Sequence, residues 1–204
     1  FSSSASVYGQ PDYLPVTEDA PLRPHSVYGR TKRVVEDFLR DLAHANANWR
    51  IAVLRYFNPA GAHSSGMLGE ATRGKPSNLV PLLCKIAGGE LAELAIYGGD
   101  WPTPDGTGIR DYLHVQDLAE GHVAALRYLG RTQGAVTVNL CSGRGYSVLE
   151  VANAFEAACG RKVTRTIAPR RPGDVASYYA DPSQAEKLPQ RKVTSGLDII
   201  CAGP

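Results

Sequence analysis

Apolar residues recur along the chain with two alternating periods. After Ser26 the apolar positions Val34, Val35, Phe38, Leu39 and Leu42 follow helical spacing. They predict an amphipathic helix over 26–45 that fades at Asn46-Ala47-Asn48. Arg50-Ile51-Ala52-Val53-Leu54-Arg55-Tyr56 is a β-rich run suited to a buried parallel strand. Ser77 is the expected N-cap of the next helix, with Pro81 tolerated in its first turn. That helix runs through Leu82, Leu83 and Ile86 and stops at Gly88-Gly89. Residues 94–97, 109–115, 136–140 and 163–167 read as strands. Asp117 is expected to cap a helix carrying Leu118, Val123, Ala124, Leu126 and Leu129. Ser147-x-x-Glu150 is a capping box for a helix over 148–159. Alternating strands and helices argue an α/β fold.

Composition narrows the class. The 204 residues are 43% hydrophobic and 21% charged, as in ordinary globular proteins. A net charge of +2 leaves no footprint for nucleic acid and no polybasic membrane patch. No apolar run reaches the roughly 20 residues of a membrane span. Cys84, Cys141, Cys159 and Cys201 are scattered without metal-ligand spacing, so free thiols of a cytoplasmic protein are expected and no metal site. Residues 10–24 read as a surface connection, and 62–76 as a Gly-rich irregular stretch.

Candidate chemistry centres on Tyr28 and Lys32, four residues apart at the start of the first helix. Positions i and i+4 share a face, with Cβ atoms about 6 Å apart. A cation at that separation favours the phenolate, which is a useful general base for a hydroxyl. Lys32 keeps further donors for the ribose hydroxyls of a cofactor. Alone, such a pair is usually a solvated helix face. It gains weight from the serine run Ser2-Ser3-Ser4 before it and Arg55-Tyr56-Phe57-Asn58-Pro59 after it. Serines that follow a strand sit at the carboxyl edge of an α/β sheet, where ligands bind. Asn78 lies at a helix N-terminus, which attracts anions.

Together these features resemble the extended short-chain dehydrogenase/reductase superfamily. Arg55 to Ala62 makes the resemblance specific to its nucleotide-sugar epimerases and dehydratases. Leu94-Ala95-Ile96-Tyr97-Gly98, followed by Asp105-Gly106-Thr107-Gly108-Ile109-Arg110-Asp111-Tyr112-Leu113-His114-Val115, narrows it to the galactose-pathway epimerases. The match weakens after residue 187, where Leu188-Pro189-Gln190-Arg191 replaces an expected Leu-Gly-Trp pattern.

The resemblance implies the later part of a Rossmann-like parallel sheet plus a smaller α/β substrate-binding domain. Residues 1–60, with 109–141 returning, would belong to the NAD-binding domain; 61–108 and 142–204 would bind a UDP-sugar. The implied activity interconverts UDP-glucose and UDP-galactose by transient C4 oxidation with bound NAD. Tyr28 would take the C4 hydroxyl proton, Ser4 would hydrogen-bond the same hydroxyl, and Lys32 would bind the nicotinamide ribose. Phe57 matches a position near the nicotinamide. Asn58, Asn78, Leu79, the backbone of Ala95, Ile96 and Tyr97, Arg110, and the turn from Arg171 to Asp174 match UDP-contacting positions. Arginines suit a diphosphate because the guanidinium fork binds its oxygens bidentately. Tyr178 matches the position that closes the sugar pocket beside C2, and its bulk predicts poor acceptance of N-acetylated sugars. A homodimer packed through the Tyr28 helix is also implied.

Two rival readings stand beside this one. A nucleotide-sugar dehydratase or decarboxylase of the same superfamily would commonly carry an Asp-Glu pair beside the serine, whereas Ser4 precedes Ala5-Ser6. A non-catalytic nucleotide-sugar-binding fragment is the other. The chain has no initiator Met and no glycine-rich dinucleotide turn, and it begins on a strand end. It is therefore expected to be a fragment, poorly soluble and inactive alone because of an unpaired sheet edge.

Overall fold

The computed structural model describes residues 1–70, 74 and 76–202; residues 71–73 and 75, within the stretch read as irregular, lie outside the described residues, as do 203–204 at the chain end. The chain opens with β1 (Ser2–Ser4) and a 3-10 turn (Ala5–Val7), then α1 (Val27–Ala45), β2 (Arg50–Tyr56) and β3 (Asn58–Ala60). It continues with α2 (Leu79–Ala87), β4 (Leu94–Tyr97), β5 (Ile109–His114), α3 (Val115–Leu129) and β6 (Gly134–Leu140). β7 (Gly145–Ser147), α4 (Val148–Cys159), β8 (Arg165–Ala168), β9 (Ser177–Tyr178), α5 (Ser183–Glu186) and α6 (Leu197–Cys201) complete it.

Three sheets organise these elements. β1, β2 and β6 form a parallel sheet with β2 central, Leu54 lying opposite Ser2 and Val138. β5 is the hub of a second sheet, parallel to β3 and β9 and antiparallel to β7. β4 and β8 make a parallel pair. Strand side chains alternate between faces. Ala52 and Leu54 accordingly pack with Val138, Leu140 and the α3 residues Ala124 and Ala125. Arg55 and Asn139 are one residue out of phase and serve the opposite face, where α1 lies. A further core joins α2, α4 and α6 to β4 and β5 through Leu83, Ile96, Tyr112, Val151 and Ile200.

The capping box at Ser147 and Glu150 forms as expected, with Glu150 N donating to Ser147 Oγ at 3.0 Å and Ser147 N to Glu150 Oε2 at 2.7 Å. Two other expected caps are corrected. Asn78, not Ser77, is the N-cap of α2, and its side chain makes no capping bond. His114 caps α3, its Nδ1 accepting from Gln116 N at 3.1 Å. Asp117 sits inside the first turn, buried, where its carboxylate accepts from Thr194 and Ser195. The expected strand at 163–167 spans Arg165–Ala168; Val163, ahead of it, is buried with the α2–α4 core and its N donates to Glu156 Oε1 at 2.7 Å.

The largest departure concerns α1. Its apolar stripe is not buried against the sheet: Val34 is 66% exposed and Phe38 60%, while Leu39 and Leu42 are half-buried. The buried α1 residues are Gly29 and Glu36. A charged anchor replaces the apolar one because Arg55 projects from β2 directly beneath the helix.

Candidate active site

Tyr28 and Lys32 lie on the first turns of α1, after Ser26, whose Oγ accepts from Gly29 N at 2.9 Å. Tyr28 is exposed, and Lys32 Nζ stands 5.5 Å from its ring centroid. The same ammonium donates to Ser2 O at 2.9 Å, on the edge of β1. Ser4 caps the 3-10 turn; its Oγ accepts from Ser6 N at 3.2 Å and Ser6 Oγ at 3.0 Å. Its own hydroxyl proton is thereby left to point at an acceptor outside the turn.

A cavity of about 240 Å³ opens between β3, the start of α2, β4 and β5. Its wall brings together Phe57, Asn58, Asn78, Leu79, Ala95, Ile96, Tyr97, Arg110, Arg171 and Asp174, which are scattered over more than half the chain. Arg110 Nη1 is braced by the carbonyls of Ile109 and Val175, each at 2.8 Å, while Nη2 stands 3.8 Å from Asp174. Burial works against the charge on Arg110 and lowers its pKa, with Asp174 working the other way. Arg171 lies 4.1 Å over the Tyr97 ring and 3.3 Å from Asp174. Two guanidinium groups thus share one carboxylate at the mouth of the cavity, leaving positive charge available to an anion. Trp101, which the sequence did not single out, lines the same cavity and carries Arg170 at 3.9 Å over its ring.

Arg110 and Asp174 also wall a second hollow, lined by Ser6, His25, Ser26 and Tyr178. It lies between that shared wall and the N-terminus of α1. Tyr178 is buried, stacks at 5.3 Å on Phe57 and donates its hydroxyl to Ala5 O. Burial pushes its phenol pKa up, so it stays a neutral donor. Ser4, Tyr28 and Lys32 do not line either hollow; Ser6 and Ser26, their chain neighbours, do.

Beneath these groups lies a buried polar network. Arg55 and Glu36 form a two-pronged ion pair, Nη2 to Oε2 at 2.7 Å and Nε to Oε1 at 3.0 Å, with 2% and 0% side-chain exposure. Ser3 Oγ donates to Glu36 Oε1. Arg55 Nη1 donates to Tyr8 OH at 2.8 Å and Glu18 O at 3.0 Å, and Tyr8 OH donates to Asn139 Oδ1 at 2.7 Å. Burial pushes Tyr8 up to about 12, which keeps it a neutral relay between Arg55 and Asn139. Sequence reasoning missed this network. Its signal was Glu36, an acid four residues beyond Lys32 within an apolar run.

A parallel sheet flanked by helices, with a Tyr-x-x-x-Lys helix at the carboxyl edge of its first strand, defines a class of nucleotide-dependent α/β proteins. Residues 1–141 match the NAD dependent epimerase/dehydratase family, and the chain belongs to it. Its relatives include UDP-glucose 4-epimerases: that of Bacillus subtilis is 50% identical over 202 residues, covering 99% of this chain and 60% of the relative. That of Cyamopsis tetragonoloba is 52% identical, covering 98% and 57%. The chain thus spans about 60% of the length of such curated relatives. A UDP-glucose 4-epimerase from Bifidobacterium longum, solved with NAD+ and UDP, superposes with a TM-score of 0.94 at 50% identity, covering 100% of this chain and 61% of that one. One from Stenotrophomonas maltophila, solved with NAD and formylated UDP-arabinopyranose, gives 0.96 at 49% identity over 98% and 60%.

Proposed function

We propose that this chain is the later part of an NAD-dependent UDP-glucose 4-epimerase, interconverting UDP-glucose and UDP-galactose in cytoplasmic galactose metabolism. The observation that carries the reading is the cavity that gathers Asn58, Asn78, Arg110 and Arg171, with Arg110 shared by a second hollow beside the N-terminus of α1.

The residues present fit part of an NAD site. The Lys32 ammonium and the exposed Tyr28 phenol stand together at the open edge of β1, suited to a ribose. The 204 residues hold no glycine-rich turn for the pyrophosphate. When bound there, NAD would supply a reversible hydride acceptor for C4 of the sugar. Tyr28, as general base, takes the C4 hydroxyl proton and later gives it back. Ser4 donates its free proton to the same oxygen and orients it. Arg110 and Arg171 leave Asp174 to grip the diphosphate, and Asn58 and Asn78 bind the remainder of the nucleotide. Fixing the nucleotide while the sugar turns is positioning catalysis.

The exposed stripe of Val34 and Phe38 on α1 supports a homodimer packed through that helix, since an apolar face left in water marks an interface. Among the described residues no helix is long and apolar enough to cross a membrane. Ala5-Ser6 after Ser4 favours epimerisation over dehydration, which requires a further acid–base pair there.

The test is a chimera with the N-terminal segment of the Bacillus subtilis relative placed ahead of Phe1. Purified chimera should convert UDP-galactose to UDP-glucose with NAD present. A folded chimera that binds UDP yet gives no turnover would refute the activity and leave a nucleotide-binding module.

A further inference from the structure

The buried face of α1 is unusual in what it holds. Of its nineteen residues, Gly29 and Glu36 are the buried ones. Neither contributes apolar area of consequence, and the apolar residues of the helix are half-buried at most, as at Leu39 and Leu42, so apolar burial alone does not fix the register of this helix on the sheet. Two specific contacts choose it instead, and both reach the strand and turn that carry Ser4. At one end, Gly29 approaches so closely that a Cβ there would stand 2.5 Å from Ser6 O. At the other, Glu36 accepts from Ser3 Oγ while Arg55 grips both of its oxygens. Gly29 adjoins Tyr28, and Glu36 is one turn beyond Lys32. The contacts therefore fall on either side of Lys32 along the helix, the first of them beside Tyr28, and on either side of Ser4 along the strand.

We propose that Glu36 and Arg55 are positioning residues: with Ser3 they set the placement of Tyr28 and Lys32 relative to Ser4. This rests on the epimerase reading above and deepens it. The physical case is directional. An apolar patch tolerates sliding, because its free energy depends on area. A carboxylate held on both oxygens by a planar guanidinium fork does not, because each bond has a length and an angle to satisfy. Arg55 is itself immobilised, its Nη1 donating to Tyr8 OH and Glu18 O, and Tyr8 is tied on to Asn139 of β6. The anchor thus refers α1 to three strands at once. Nothing in this network touches the nucleotide cavity, whose wall comes from β3, α2, β4, β5 and the 171–174 turn.

That separation makes a distinguishable prediction. Replacing a buried ion pair by apolar residues of similar volume is often neutral or stabilising, so Glu36→Leu with Arg55→Met should remain folded while its helix loses its register. A misplacement on the order of 1 Å at reacting groups costs about 100-fold in rate. In the chimera, the double variant should lose about 10- to 100-fold in kcat, with UDP affinity and KM unchanged. Glu36→Gln, which keeps shape and one strong acceptor, should lose less than Glu36→Leu. Ser3→Ala removes one hydroxyl from a small strand residue and should also lower kcat without changing UDP affinity. A double variant that melts like its parent and keeps full kcat would overturn the proposal. So would an equal loss in kcat and in UDP affinity, which signals general loosening. Where the double variant does not fold, Ser3→Ala decides: unchanged kcat overturns the proposal. An unmutated chimera that fails to epimerise UDP-galactose is a failure of the functional reading, seen before any variant is made.

Discussion

Arg191 is a stabilising substitution waiting to be made. It is 7% exposed, and its Nη2 donates to Cys141 O at 3.3 Å. Its Nε and Nη1 are buried and have no hydrogen-bond partner among the described residues. The carboxylate of Asp117 is occupied by Thr194 and Ser195 instead. Burial lowers the pKa of the guanidinium, though not far enough to discharge it. Each orphaned buried donor costs about 1–3 kcal/mol. Exchanging a buried charged group for an apolar one of similar volume commonly returns about 1–4 kcal/mol. Arg191→Met keeps most of the side-chain stem, whose Nε end lies beside Gly121. It also forfeits the Cys141 carbonyl bond, worth about 1 kcal/mol net. The balance is a gain of up to about 3 kcal/mol, or up to roughly 12 °C in Tm at about 2–4 °C per kcal/mol for a domain of this size. The preceding Gln190 has φ 59°, a left-handed conformation that suits glycine, so Gln190→Gly should add a smaller increment. Thermal and urea melts of the chimera, followed by circular dichroism, measure both. An Arg191→Met variant no more stable than its parent would refute the reasoning and mean that the guanidinium is satisfied in solution, for instance by a buried water.

Tyr28→Phe in the chimera should lower kcat by about 10²- to 10⁴-fold with UDP affinity retained; near-full kcat in steady-state assays would remove Tyr28 from the mechanism. Tyr178→Cys should narrow the preference for UDP-glucose over UDP-N-acetylglucosamine, which overpacking of about 1–3 kcal/mol sets at roughly 5- to 150-fold; comparison of kcat/KM for the two sugars checks it, and an unchanged ratio refutes it. Asp111 is pushed up to about 6 by burial, against donors from Ser142, Gly143 and Ala180. A carboxyl raised in the folded state contributes stability that is present below about pH 4 and lost as pH rises through 6, a change of about 3 kcal/mol. The stability difference between parent and Asp111→Asn should therefore shrink over that window; a difference constant from pH 4 to 7 excludes it.

How much of this was legible in the sequence depends on how local the physics is. β2 and β4 form over the residues expected, because a β-rich run between turn signals states its own structure. The Ser147 capping box is equally local. Caps that depend on tertiary surroundings were misplaced: Asn78 and His114 took the roles expected of Ser77 and Asp117. The cavity is a different case. No period relates Phe57 to Asp174, and the grouping of their neighbours was expected only through resemblance to a family.

Helix α1 shows where pattern reading stops. Apolar spacing identified the helix correctly, since any stripe at intervals of three and four residues favours one. It could not say which face is inside, because the usual inference assumes that the apolar stripe is the packed one. Here the packed face is Gly29 and Glu36, and the stripe bearing Val34 and Phe38 is left in water. The inversion has a physical logic. A helix that must hold a base and a cation in register with a serine on the neighbouring strand gains more from directional bonds than from sliding apolar contact. Its apolar face is then free for a second surface, and the proposed dimer would use it. The sequence signal for such a helix is one acid on the helical face of Tyr28 and Lys32, matched by an arginine inside the next strand: Glu36 and Arg55 meet that description.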